Sequence, residues 1–374
     1  MHRLILAALL VLALLCTDSF SATASEPCPG SLSKAEIRAV NCAFRSEVKR
    51  QQIVGAAVAV IRNGQIVHRC CYGFEDREAC IPVNSKTLFR WASISKTLTA
   101  VAAMQLVEQG KLDLDADVRS YVNEFPDKGV RITPRQLLCH QGGIIHYRNG
   151  EVIKTRRNYK KPHPFENVIV ALDRFKESPL IAAPGEKYSY STHGFMLLSA
   201  VVERAGQEIF ADQIRRRIVE PLGMKTLQPD YQWKTIPHRT IGYRKKKGKI
   251  VRSIDDDVSW KLGGGGFLSN IDDLARWAVG LIHGRLIDKS TETSMWTVQK
   301  TSDGRPTPVG LGFFIKSRQG VLEVSHGGAQ HKTRTRLVIW PREGRGIVVM
   351  CNSEYADTRK LISAVNKTLA NNAD

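Results

Sequence analysis

The sequence predicts an α/β protein of the α+β kind. One antiparallel sheet is formed by both chain ends and flanked by helices, and an all-helical domain is inserted between them. Three observations predict it. Apolar residues alternate with a period of two near the start, in VGAAVAVIRNGQIVHRCCYGF (54–74), and again near the end, in VLEVSHGG, TRLVIWP and GIVVMCN (321–352). From about 91 to 254 the spacing is helical or irregular instead. No internal repeat interrupts the 374 residues, which are enough for a sizeable core. The sheet lobe is expected to use about 30–90 and 255–374, and the helical lobe about 91–254.

Taken in order, residues 4–16 (LILAALLVLALLC) follow Arg3 and precede Ala22-Thr23-Ala24. The run is short for a membrane span and carries an A-x-A site, so 1–24 is expected to be a signal peptide and the protein to be exported, periplasmic or secreted. The working domain is then 27–374. Residues 31–52 have helical spacing, and Ser33-x-x-Glu36 is a capping box. Asn63-Gly64 between two β-rich runs signals a hairpin. Helical spacing resumes from Ser93 to about Gly110, in ITPRQLLCH (132–140) and over 188–206. A polar, basic loop occupies 146–165. LGGGGFLSNIDDLARWAVGLIHG (262–284) reads as a glycine-rich turn entering an amphipathic helix. VGLGFFIKS (309–317) joins the three later strands, and a final helix covers about 357–371.

Seven cysteines remain beyond the leader: Cys28, Cys42, Cys70, Cys71, Cys80, Cys139 and Cys351. By proximity, Cys28 with Cys42, and Cys70 or Cys71 with Cys80, are the candidate bridges, and the odd count leaves one thiol over. His68 with Cys70, Cys71 and Cys80 fits no common zinc spacing, so no metal is expected. The net charge is +19, with basic runs at 154–163 and 243–252. Solvated loop charge explains such runs. Peripheral contact with an anionic membrane or cell-wall surface is the sharper alternative. No nucleic-acid motif is present, and a leader argues against that partner.

Ser93-Ile94-Ser95-Lys96 is the segment that carries chemistry. Its spacing sets a hydroxyl and an ammonium one helical turn apart. A serine needs a neighbouring base or cation to become a nucleophile, and a helix N-terminus favours the charge that develops. Taken alone, Ser93 is also an ordinary helix-start serine. Tyr190, in PGEKYSYSTHGFMLLSAVVE (184–203), could act as a general base beside the Lys96 cation. His326-Gly327-Gly328 ends a predicted strand, and the backbone N–H groups of Ala329 and Ser93 could form an oxyanion hole. There is no G-x-S-x-G, H-E-x-x-H or P-loop, and His140, His146 and Asp272 read as structural or loop residues.

Together with ITPRQLLCHQGGI (132–144), GGGGFLSNIDDLARW (263–277) and VSHGGAQHKTRTRLVIWP (324–341), these segments resemble the serine β-lactamase-like family. Its relatives include class C β-lactamases, penicillin-binding proteins, D-stereospecific peptidases and esterases. HYRNG (146–150), SWKLGGGGFLSN (259–270) and YSTHGFMLLSAVVE (190–203) are most similar to the mitochondrial serine β-lactamase-like branch. The resemblance covers roughly 54–352. It implies that Ser93 forms an acyl-enzyme, that Lys96 helps deprotonate it, and that Tyr190 is the general base. It implies no cofactor. His326 stands where β-lactamases have the lysine of K-T-G, giving a weaker, pH-dependent charge for a substrate carboxylate. Thr192 stands where the family often has the asparagine of Y-x-N, which meets the substrate amide. Both departures point to a peptide, amide or ester rather than a β-lactam. The rival expectation is a catalytically silent cell-wall-peptide-binding or assembly protein on the same fold.

Overall fold

The computed structural model describes residues 31–370, and the chain from Leu32 onward forms one compact unit. The expected leader, its cleavage site and Cys28 lie outside the described residues. Helix α1 (Lys34–Gln51) begins at the expected capping box, Ser33 and Glu36 bonding each other's backbone N–H. Strands β1 (Gly55–Arg62) and β2 (Gln65–Asp76) flank Asn63 and Gly64, which hold φ of 52° and 70° as the tight turn requires. Short strands β3 (Ile81–Pro82) and β4 (Phe89–Arg90) lead to α2 (Ser95–Glu108). The middle of the chain holds α3 (Pro134–Leu138), α4 (Val168–Ala171), α5 (Thr192–Gly206), α6 (Phe210–Ile214), β5 (Gln228–Pro229) and the hairpin β6 (Tyr243–Lys246) and β7 (Lys249–Arg252). It closes with α7 (Leu262–Gly265), β8 (Phe267–Ser269), α8 (Ile271–Ile282) and α9 (Lys289–Met295). Strands β9 (Phe314–Arg318), β10 (Val321–Gln330), β11 (Thr333–Trp340) and β12 (Arg345–Cys351) then precede α10 (Thr358–Ala370).

The main sheet is seven-stranded and antiparallel, in the order β3-β2-β1-β12-β11-β10-β9. The two ends of the chain meet at its centre, where Ala56 pairs with Cys351 and Ile61 with Gly346. Alternation along β1 and β12 sends Val58, Val60, Ile347 and Val349 to one face, covered by α1 and α10, and Ala57, Ala59, Val348 and Met350 to the other, covered by α8. Each fully buried side chain of this size contributes about 1.5–3 kcal/mol. Helix α2 lies at the middle of the larger core and is buried all round, which its small residues Ala100, Ala102 and Ala103 permit.

The structure departs from the sequence reading at several places. Helix α5 starts at Thr192, not 188, because the Ser191 hydroxyl caps it by accepting from the Gly194 N–H. Residues 262–265 form a single helical turn, and a strand, β8, separates it from α8. The basic run 243–252 is a hairpin rather than a loop. Strand β9 begins only at Phe314, since Gly312 takes a φ of 86° in the loop before it. His326 lies inside β10 rather than at its end, because Ala329 and Gln330 still pair with Arg334 and Thr333. The cysteines of β2 form no bridge to Cys80. Cys70 and Cys71 are neighbours on one strand and point into opposite cores, while Cys80 is exposed in the next turn, and all three are free thiols. Among the described residues no helix is long and apolar enough to cross a membrane.

Candidate active site

Ser93 lies in the tight turn Ala92–Ile94 that feeds directly into α2. Ala92 holds a φ of 48°, a left-handed conformation that an alanine adopts only when its surroundings impose it. The constraint is β10. A Cβ on Gly328 would come within 2.4 Å of the Trp91 carbonyl oxygen and 2.0 Å of Thr335 Oγ1, so only glycine lets the strand pass this close. Gln330 opposite Thr333 closes a two-residue turn, and the next pair, Ala329 with Arg334, is of the non-hydrogen-bonded kind, whose N–H groups face away from the partner strand. The Ala329 N–H therefore points away from β11, at the edge beyond the last β9 pairing, Phe314 with Ser325.

Lys96 is fully buried one turn after Ser93. Its Nζ lies 3.3 Å from Ser93 Oγ, 3.1 Å from Thr192 Oγ1 and 2.6 Å from the Gly264 carbonyl oxygen. Burial, and then the neighbouring Lys261 charge, hold its pKa well below the usual lysine range. As a neutral amine Lys96 would donate to Gly264 and Thr192 and keep its lone pair for the Ser93 proton, so every polar valence is used. Glycine is required at 264, where a Cβ would stand 2.6 Å from Thr192 Cγ2.

Tyr190 approaches from the other side. Its extended segment is pinned by the Ser189 N–H donating to the His140 carbonyl oxygen and the Ser191 N–H to His140 Nδ1. The His140 ring packs 4.3 Å from the tyrosine ring, and Lys96 Nζ lies 4.9 Å from the same centroid. The phenol is hydrogen-bonded to Ser93, and burial pushes its pKa up despite that bond. Burial thus favours the phenol form of Tyr190 and disfavours the charged form of Lys96, against the phenolate beside an ammonium that the sequence reading supposed.

His326 faces the same space, its ring 6.4 Å from Tyr190 and 5.3 Å from Phe314. Its Nδ1 donates to the Gly327 carbonyl oxygen at 2.8 Å, and burial, helped by Lys96, takes its pKa down to about 3. The expected pH-dependent charge is therefore absent near neutrality. Thr192 spends its hydroxyl on Lys96 and on Tyr147.

Ser93, Lys96, Tyr190, Thr192, His326, Gly328 and Ala329 converge, whereas Gly327 turns toward Arg336 on the opposite face of the sheet. Asp272 lies outside the site, paired with Arg69. Two histidines read as structural sit closer than expected. His140 backs Tyr190, and His146 Nδ1 accepts from the Thr192 N–H at 3.2 Å with its ring 5.7 Å from Tyr190. Burial holds His146 down at about 4. Lys261 and Tyr147 were missed altogether. The only sequence signal was their place in SWKLGGGG and HYRNG, beside segments that carried the resemblance.

A family model described as Beta-lactamase matches residues 40–370. The mitochondrial serine beta-lactamase-like protein LACTB of Homo sapiens is 32% identical over 293 residues, 62% of this chain and 53% of that protein. The D-aminopeptidase of Brucella canis is 28% identical over 322 residues, 84% of this chain and 59% of that one. The chain therefore spans little more than half the length of these curated relatives. Among solved structures, the octameric penicillin-binding protein homologue from Pyrococcus abyssi superposes with a TM-score of 0.74 at 25% identity, covering 88% of this chain and 77% of that one. The D-amino acid amidase from Ochrobactrum anthropi does so at 0.73 and 19%, covering 90% and 99%, a likeness of fold.

Proposed function

The chain belongs to the beta-lactamase family, and from that premise we propose that it is a serine hydrolase that works through an acyl-enzyme on a peptide, amide or ester. The observation that carries the reading is the buried Lys96 amine 3.3 Å from Ser93 Oγ, in a pocket where the Tyr190 phenol bonds the same hydroxyl.

Lys96 takes the Ser93 proton as Oγ bonds to the substrate carbonyl carbon. The carbonyl oxygen becomes an oxyanion held by the Ser93 and Ala329 N–H groups, near the positive end of α2. The bond to the leaving amine or alcohol breaks, and the proton passes from Lys96 through Tyr190 to the leaving atom. Water then attacks the ester, giving one proton to Lys96, and collapse returns a proton to Ser93 and releases the acid. Burial favours this division of labour, with Lys96 as the base and Tyr190 as a proton relay. D-amino peptides and amides are the first substrates to try, given the names of the Brucella canis and Ochrobactrum anthropi proteins.

A fluorescent fluorophosphonate should label the wild type and leave Ser93→Ala unlabelled. Failure of any serine-directed probe to label the wild type overturns the reading. We also propose export, on the strength of the apolar run 4–16 and Ala22-Thr23-Ala24. The secreted protein should begin at Ser25 by intact-mass measurement, and a mass that retains the leader argues against it.

A further inference from the structure

Lys261 is a basic residue at this site whose chemistry the reaction above does not use. It immediately precedes α7, the turn whose Gly264 carbonyl oxygen holds Lys96. The residue is only 7% exposed. Its Nζ stands 5.5 Å from the Trp260 ring and 5.9 Å from the Tyr147 ring, at the outer limit of a cation–π contact. Among the described residues its ammonium makes no hydrogen bond and no ion pair. The two nearest acids are committed elsewhere. Asp256 bonds Arg90 at 2.5 Å and faces His331 at 3.3 Å, and Asp257 accepts from the Ser259 N–H and hydroxyl. An ammonium withdrawn from water, with its charge only partly offset by Asp256 and Asp257 and with no acid in direct contact, is an unfavourable arrangement, which an anionic ligand would relieve.

The location says which ligand. Tyr147 joins Lys261 to the reacting centre, since its hydroxyl bonds Thr192, whose own Oγ1 contacts Lys96. Lys261 is close enough for its charge to act on both Lys96 and His146. On the opposite wall His326 is buried and tied to its own backbone, so it offers no charge to a carboxylate.

We propose that Lys261 is the specificity-determining cation of this site, binding an anionic group of the substrate, a carboxylate, against the Tyr147 and Trp260 wall rather than on the β10 side. This rests on the hydrolase reading, and it adds where the charge of the substrate lies.

The test uses the full-length protein and internally quenched peptides in matched pairs. Each pair exchanges one carboxylate for a carboxamide, at successive positions on either side of the cleaved bond. The wild type should prefer the carboxylate at one position by roughly tenfold or more in kcat/KM, the range of a charge-assisted hydrogen bond. Lys261→Met should bring that ratio close to one, and Lys261→Arg should keep most of it. The ratio cancels any change that the substitution makes to Lys96, because both members of a pair meet the same base. Equal rates across all pairs in the wild type, or a ratio that survives Lys261→Met, overturns the proposal. Ser93 labelling separates the two ideas. Labelling with no carboxylate preference removes the Lys261 anchor alone, and no labelling with no turnover removes the hydrolase with it.

Discussion

Lys96 can serve as a base only if it gives up its charge, and its surroundings favour that. Burial and Lys261 together depress its pKa. A base of this kind is active when unprotonated, so kcat/KM should rise with pH through the lowered Lys96 pKa and fall away on the acid side. Lys261→Met removes the repulsion, raises the Lys96 pKa and should move that acid limb to higher pH; a limb that stays put means another group controls it. His326→Gln should leave the limb in place, because His326 is already neutral above about 3. Tyr190→Phe should lower kcat for a p-nitrophenyl ester by a factor of about 100 or more, the usual weight of positioned proton transfer, and full turnover would remove Tyr190 from the proton path. At this scale the sequence was most legible where a residue's neighbours are local, as in Ser93-x-x-Lys96. It was least legible where a side chain's state depends on burial. Nothing in the string H-G-G says that His326 is too dry to charge, nor that Lys261, far along the chain, will stand beside Lys96.

The elements explain why those groups stay where they are. Strand β10 passes the nucleophile turn because Gly328 has no side chain, and Gly328→Ala should push the strand off Trp91. A loss of roughly 1–3 kcal/mol in unfolding free energy is expected, typical of overpacking. A larger fall in kcat than in thermal stability would mark the oxyanion hole as the part disturbed. Helix α8 is held by Asp273, whose carboxylate accepts from the Lys225, Thr226 and Leu227 N–H groups and from the Thr226 hydroxyl. Asp273→Ala leaves the buried Leu227 N–H and the part-buried donors of Lys225 and Thr226 without their acceptor and should cost about 1–3 kcal/mol by urea denaturation. The paired strands, the capped α1 and the Asn63-Gly64 hairpin follow from alternation and turn chemistry, both local properties. The start of α5 and the helical turn at 262–265 do not. Ser191 becomes a cap only because Ile145 and His140 hold the segment before it, and the glycines coil because Lys96, Thr99 and Ser199 press on them.

The whole molecule carries +19, and much of the excess is gathered rather than spread. The β6–β7 hairpin brings Lys245, Lys246, Lys247 and Lys249 to one exposed tip, where a loop would have scattered them. The protein should sediment with anionic vesicles at low salt and be released at about 0.5 M, where charges a few ångströms apart are already screened. Reversing these four lysines to glutamate should weaken that binding, and salt-insensitive or absent binding of the wild type excludes the idea. The sheet has a different consequence, which concerns synthesis. Strand β1 leaves the ribosome nearly 300 residues before its inner neighbour β12 exists. Until the last strand emerges, β1 and β2 form a hairpin with one open edge and an uncovered apolar face, the kind of surface that recruits chaperones or aggregates. The central sheet can therefore close only after β12 has been made. A nascent chain stalled before residue 345 should remain protease-sensitive throughout, however much of its helical middle has already been made.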